Sequence, residues 1–274
     1  MSETTRLQYR LIFCDLDGTL ATFDGEVSLA VQEAMQAVVD TGAWITLSTS
    51  RGYQMVKPFL DRVVINAPMV CCTGGLIVEA FTKRIHYVKP LPLDMARDLA
   101  RLSQSEGIPM WFYLADMETM LEKRVGDDGF ALRRDGVTLR EVPDPVPELT
   151  EPPHKVLIET ALPHTTPGVA AGVQEYVGDR ARVVVSSPMR IEVVLPGISK
   201  AQAMARIAEQ LGVSREETLA IGDGDNDVEM VDWAGLGVAM GNATPAVKAV
   251  ADWLAPSVEE DGAAVALQRF VLAG

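Results

Sequence analysis

The sequence predicts an α/β fold in which a Rossmann-like parallel-sheet core is interrupted by a second, inserted α/β layer. Three observations carry this. Short apolar runs alternate with helix-length stretches toward both ends of the chain, which is the βαβ rhythm of a parallel sheet. Two of these runs, one near each end, stop in clusters of aspartates. Between them lie more strand-like runs than one remaining sheet can hold, with Pro90 and Pro92 at one margin and a Pro- and acid-rich connection at 143–153.

In chain order, strands are expected at about 10–14, 43–48 and 69–72, separated by helices near 28–40 and 54–62. The inserted layer supplies strands at 109–114, 154–159, 182–186 and 190–195, with helices near 93–106 and 167–177 on one face. The first rhythm returns after a helix at 201–211, with strands at 219–221, 236–240 and 253–254 interleaved with helices near 228–233, 245–251 and 259–271. Trp111 and Tyr113 fall where they would pack in the inserted core, and Arg190 reads as a solvated strand residue.

The run Leu11-Ile12-Phe13-Cys14-Asp15-Leu16-Asp17-Gly18-Thr19 delivers two carboxylates, spaced two apart, into a Gly-Thr turn. Residues i and i+2 of an extended chain share one side, so one carboxylate can attack phosphorus while the other moves a proton. A plain turn is the simpler rival, since Asp and Gly favour turns. A calcium loop starting at Asp15 fails, because Thr19 and Leu20 stand at its fifth and sixth positions, where a ligand and glycine are needed. The second acidic run, 218–227, again takes an apolar strand into Asp223, Asp225 and Asp227. Val228 and Ala234 occupy the places where a calcium loop needs Gly and Glu. In a parallel sheet, ligand sites gather at the carboxyl ends of strands. Asp15, Asp17, Asp223 and Asp227 can therefore converge, and such hard oxygen ligands suit Mg²⁺.

A phosphate ligand also needs donors and a cation. The run 43–51 is a third strand that ends in Ser48, Thr49 and Ser50, which read equally well as an ordinary helix cap. Lys200 follows Ser199 at the start of a helix, where a cation opposes the macrodipole and free N–H groups attract an anion. Its rival reading is a surface lysine.

Taken together, DxDGT at Asp15 and Asp17, the strand end at Thr49, Lys200 and the GDGDND run ending at Asp227 resemble, in the same order, the four motifs of the haloacid dehalogenase-like hydrolases. The later Gly241-Asn242-Ala243 is similar to the Cof-type branch. The resemblance implies a core of residues 1–88 and 192–274 with an α/β cap at 89–191. It implies Mg²⁺ held by Asp15, the Asp17 backbone carbonyl and Asp223, with Asn226 and Asp227 holding its waters. Asp15 would be the nucleophile, Asp17 the acid and base, and Thr49 and Lys200 the phosphate contacts. The implied activity is hydrolysis of a small phosphorylated metabolite, a sugar phosphate or a phosphorylated cofactor, through an aspartyl-phosphate. A phosphomutase or phosphotransferase is the alternative within the family. A non-catalytic regulator that binds phosphorylated metabolites, having kept the fold and lost turnover, is the alternative from another functional class, and its mark would be loss of Asp15 or Asp17. Two departures stand out: Ser50 where the family usually has Gly, and Thr73-Gly74-Gly75 where the branch often has Asn-Gly-Ala.

A formal net charge of −14 and a pI near 4.7 argue against holding nucleic acid or anionic lipid by general attraction. The start of the chain lacks the features of a signal peptide, and there is no apolar run of spanning length, so a cytoplasmic protein is expected. Cys14, Cys71 and Cys72 read as buried free thiols, and His86, His154 and His164 have no ligand spacing. Gly222-Asp223-Gly224 lacks the third glycine of a dinucleotide fingerprint. No oligomeric state follows.

Overall fold

The computed structural model describes residues 7–115, 119–121 and 139–273. The N-terminal residues 1–6, which were read above for leader features, lie outside the described residues. The regular elements begin with β1 Leu11–Cys14, α1 Leu29–Asp40, β2 Trp44–Leu47, the single turn α2 Tyr53–Val56, β3 Met69–Cys71, β4 Leu76–Val78 and β5 Ile85–Val88. They continue with α3 Leu93–Glu106, β6 Met110–Tyr113, β7 Thr119–Leu121, β8 Leu139–Glu141, α4 Pro145–Glu148, β9 Lys155–Glu159, α5 Thr166–Val177, β10 Arg182–Ser187 and β11 Arg190–Val194. The last are α6 Lys200–Leu211, β12 Thr218–Gly222, α7 Val228–Trp233, β13 Leu236–Ala239, α8 Pro245–Val250, β14 Trp253–Leu254 and α9 Gly262–Leu267. Two compact units result: Met1–Thr49, Phe59–His86 and Ser199–Gly274 form the first, Ser50–Pro58 and Tyr87–Ile198 the second.

In the first unit, β14-β13-β12-β1-β2 form a sheet whose neighbouring strands all pair in parallel. β1 and β12 are buried along their whole length, as strands covered on both faces must be. α1 buries Val31, Ala34, Met35 and Val38, one stripe at helical spacing, and Ser28 Oγ caps it by accepting from Val31 N at 3.1 Å. The helix expected at 54–62 is instead α2 followed by a 3₁₀ turn, Lys57–Phe59; Pro58 has no N–H with which to continue the ladder. The helix expected at 259–271 is divided into a 3₁₀ turn Val258–Glu260, α9 and a π turn Gln268–Leu272, with Asp261 in a left-handed conformation at the break. β4, which pairs antiparallel with β3, was not anticipated.

The second unit is a six-stranded sheet in the order β10-β11-β9-β6-β7-β8. Its pairs run antiparallel apart from β7 and β8. Alternate residues Met110, Phe112, Val156, Ile158, Ile191 and Val193 join Met95 and Leu99 of α3 and Val173 and Val177 of α5 in one core. The intervening residues Trp111, Tyr113 and Leu157 pack with Met55 in a second cluster, so the two aromatics are packed as expected. Arg190 is partly exposed and lies 3.7 Å from Glu159. Cys14, Cys71 and Cys72 are buried free thiols, and burial, followed by the neighbouring Asp15 charge, pushes the Cys14 thiol up. Among the described residues no helix is long and apolar enough to cross a membrane.

Candidate active site

Asp15 and Asp223 are the residues that follow the ends of the adjacent parallel strands β1 and β12. Asp15 N donates to Ile221 O at 2.9 Å, so the ladder runs one residue past β1 and fixes the Asp15 backbone. The sheet order places β2 on one side of β1 and β12 on the other, which makes this the switch point where α/β sheets open a crevice.

One oxygen from each of Asp15, Asp223 and Asp227 lies within 4.8 Å of the others, and all three residues are buried. Lys200 is 0% exposed, and its Nζ donates to Asp15 Oδ1 and Asp227 Oδ1, both at 2.6 Å. That contact removes the surface-lysine reading. Ser199 Oγ caps α6, accepting from Gln202 N at 3.3 Å, and α6 buries Ala203, Met204 and Ile207 beneath it. The cap and this buried stripe hold the helix start where its cation meets the acids.

Each carboxylate has its own support. Asp227 Oδ2 accepts from Asp223 N at 3.1 Å and Gly224 N at 3.0 Å, so both of its oxygens are occupied by protein donors. Asp223 Oδ1 accepts from Thr19 Oγ1 at 3.0 Å and Oδ2 from Asn242 Nδ2 at 3.3 Å. Asn242 Nδ2 also donates to Gly18 O at 2.8 Å, while its Oδ1 accepts from Val258 N at 2.9 Å. Gly18 has φ +79°, and a Cβ there would lie 2.3 Å from Asp223 Oδ2; only glycine fits. Asp15 accepts Lys200 through Oδ1 alone and keeps a side chain 9% exposed.

Burial is the first cause of the electrostatics. It pushes Asp15 well above the carboxylate range, reinforced by the Asp227 charge and opposed by Lys200. Asp223 is pushed up to about 7, first by burial and then by Asp227, with the Thr19 hydrogen bond opposing. Burial alone would lower the Lys200 ammonium, but Asp15 and Asp227 outweigh it and hold its pKa above the ordinary range. Three buried acids thus face one buried cation. A hard divalent cation fits this donor set: Asp15 and Asp223 have lone pairs to spare, and the added positive charge would offset what raises their pKa values.

Asp17 is half-buried on the turn after β1, and its charge helps to raise both Asp15 and Asp223. Thr49 is buried just beyond β2, with its N–H on Val70 O at 2.9 Å and its carbonyl accepting from Thr73 N at 3.2 Å. Asn226 lies in the turn Asp225–Asp227, with its Oδ1 against Gly224 and no hydrogen bond to the acids among the described residues. Sequence reasoning assigned no role to Thr19 or Asn242. Thr19 closes the DxDGT run, so position gave a signal for it; for Asn242 the only signal was the Gly-Asn-Ala string.

A family model described as haloacid dehalogenase-like hydrolase matches residues 12–267. The chain belongs to the haloacid dehalogenase-like hydrolases. It is 29% identical over 276 residues to 5-amino-6-(5-phospho-D-ribitylamino)uracil phosphatase YitU of Bacillus subtilis (strain 168), covering 95% of this chain and 97% of that one. It is 27% identical over 255 residues to pyridoxal phosphate phosphatase YbhA of Escherichia coli (strain K12), covering 89% and 92%. A haloacid dehalogenase-like hydrolase from Bacteroides thetaiotaomicron superposes with a TM-score of 0.86 at 29% identity, covering 95% and 99%. This haloacid dehalogenase-like hydrolase is a phosphatase. Its Ser50 lies outside the left-handed region, so the missing glycine there costs no backbone strain. Thr73 does lie in that region, at φ 57°, where a β-branched residue is unfavourable.

Proposed function

We propose that this phosphatase is a Mg²⁺-dependent phosphomonoesterase that hydrolyses a small phosphorylated metabolite, a sugar phosphate or a phosphorylated cofactor, through an aspartyl-phosphate on Asp15. The observation that carries the reading is the Lys200 ammonium bridging Asp15 and Asp227 beside Asp223, with Asp15 Oδ1 alone taken up by that ammonium. The relatives' names support the substrate class. Mg²⁺ would be held by Asp15, Asp223 and the Asp17 carbonyl, with Asp227 and Asn226 orienting its waters, and it would supply charge stabilisation for phosphoryl oxygens.

The residues do the rest. An Asp15 carboxylate oxygen forms a bond to phosphorus while the ester P–O bond breaks, and protonated Asp17 gives its proton to the departing alkoxide. Asp17, now a carboxylate, takes a proton from water as that water bonds to phosphorus. The Asp15 O–P bond then breaks, releasing inorganic phosphate and restoring both acids. Thr49 and Lys200 hold the equatorial oxygens, offsetting the charge that spreads over them. Asp227 keeps Lys200 aimed at Asp15. We assign substrate selection to the inserted cap at 89–191.

The test is phosphate release from p-nitrophenyl phosphate and from a panel of sugar and cofactor phosphates, with and without Mg²⁺, for wild type beside Asp15→Asn. Magnesium-dependent release abolished by the substitution supports the mechanism. Turnover surviving in Asp15→Asn refutes the aspartyl-phosphate.

A further inference from the structure

Three consecutive residues after β3 hold left-handed backbone: Cys72 at φ 51°, Thr73 at φ 57° and Gly74 at φ 103°. For a cysteine this is uncommon and for a β-branched threonine it is an outlier, and such strain persists only where the surroundings over-determine it. The surroundings do so here. Gly75 N closes the turn onto Cys72 O at 2.9 Å, and Thr73 N donates to Thr49 O at 3.2 Å. On its other side the turn meets the start of α6: a Cβ on Gly74 would lie 2.2 Å from Ser199 O and 3.3 Å from Lys200 N. Cys72 and Thr73 are each only 6% exposed, so the turn is a wedge inside the first unit.

We propose that the strained Cys72–Gly74 turn is a positioning element that sets Thr49 against Lys200, and hence against Asp15. This rests on the phosphate-holding roles given above to Thr49 and Lys200. Those residues come from distant parts of the sequence, one beyond the end of β2 and the other at the start of α6. One rigid turn touches both. Its amide fixes the Thr49 carbonyl, and its side-chain-free Gly74 lets the Ser199-Lys200 peptide approach closely. A site of this kind works only when its groups are held within about 0.5 Å of productive geometry. A relaxed turn would supply no such reference, which gives the strain a function. Gly74 and Thr73 act through Thr49 and Lys200 and touch no reacting atom.

The test compares Gly74→Ala with Gly212→Ala. Gly212 also has a left-handed φ, +65°, but nothing lies within 4 Å of its added Cβ, so it carries the backbone penalty without the displacement. Both variants should lose thermal stability. In Gly74→Ala, kcat/KM for p-nitrophenyl phosphate should fall about 100-fold, the scale of a 1 Å misplacement, with KM and the inhibition constant of inorganic phosphate rising together. Gly212→Ala should keep wild-type kinetics. Equal kinetics in the two variants would overturn the proposal while leaving the phosphatase mechanism intact. A wild type that releases no phosphate from any ester would instead remove the mechanism, and the proposal with it. Should Gly74→Ala not fold, amide exchange on the wild type decides: inorganic phosphate with Mg²⁺ should slow exchange at Thr73 and Gly75 at least about tenfold more than at Gly212. Uniform slowing refutes it.

Discussion

Removing divalent metal and raising the pH should destabilise this protein in a way that its aspartates define. Asp223 rises from 3.8 to about 7, chiefly through burial, so between those values the folded protein binds a proton that the unfolded chain has released. Stability must then fall as pH rises. The whole span amounts to about 4 kcal/mol at 1.36 kcal/mol per unit, and roughly half of it falls above pH 5.5. Asp15, raised in the same direction, steepens the slope. Lys200, raised above its ordinary range, stays charged throughout and contributes no slope. Glu79, Glu217 and Glu260 are lowered by hydrogen bonds, so their stabilisation is complete above the unfolded glutamate range and does not interfere. Thermal unfolding in EDTA should show Tm falling by several degrees from pH 5.5 to pH 8, on the basis of about 2–4 °C per kcal/mol for a chain of this size. Mg²⁺ should restore more stability at pH 8 than at pH 5.5, because its binding displaces protons. A flat or rising Tm in EDTA, or an equal Mg²⁺ effect at both pH values, would refute the reasoning.

Lys200→Met leaves Asp15 and Asp227 facing each other without their cation, and urea unfolding should show a loss of about 3–5 kcal/mol; phosphate release should vanish, and Lys200→Arg should not restore it. Asp227→Asn offers one acceptor to three donors and should cost about 1–3 kcal/mol, while lowering the Asp15 and Asp223 pKa values because the Asp227 charge raises both. Its EDTA stability should therefore depend less steeply on pH, and an unchanged slope would count against the coupling. Asn242→Ala removes the bonds to Gly18 O, Asp223 Oδ2 and Val258 N, and calorimetry should find Mg²⁺ bound about 10–100-fold more weakly. Lys83→Gly relieves an exposed left-handed residue at φ 58° and should raise stability by about 1 kcal/mol by urea titration, leaving phosphate release unchanged.

The parts of the site legible in the sequence were those in which local pattern and chemistry coincide. Asp15 and Asp223 could be placed together because each follows a short apolar strand, and parallel strands align such ends. Lys200 was legible as a misfit, a cation at the positive end of a helix; its partners explain the misfit. Thr19 and Asn242 escaped because they work through hydrogen bonds to Asp223 and Gly18 spanning 204 and 224 residues, respectively, and no periodicity encodes such a bond. Pro58 is a visible breaker, yet the apolar pattern around it outweighed it in the expectation of a helix. β4 follows a turn that Thr73 would not suggest, since threonine gives no sign of left-handed backbone.

That last mismatch and the buried acids have a common logic. A buried ion pair flanked by a further carboxylate stabilises a fold less than apolar packing of the same volume would, and a left-handed threonine adds strain of order 1–3 kcal/mol. The acids follow β1 and β12, which are otherwise buried and regular, and the threonine's turn follows β3 of a separate sheet yet bonds Thr49 O beyond β2. Local rules are broken around Asp15, Lys200 and Thr49 and obeyed along β1, β12 and α1, so the departures coincide, independently of any motif, with the groups to which the proposed mechanism gives its chemistry.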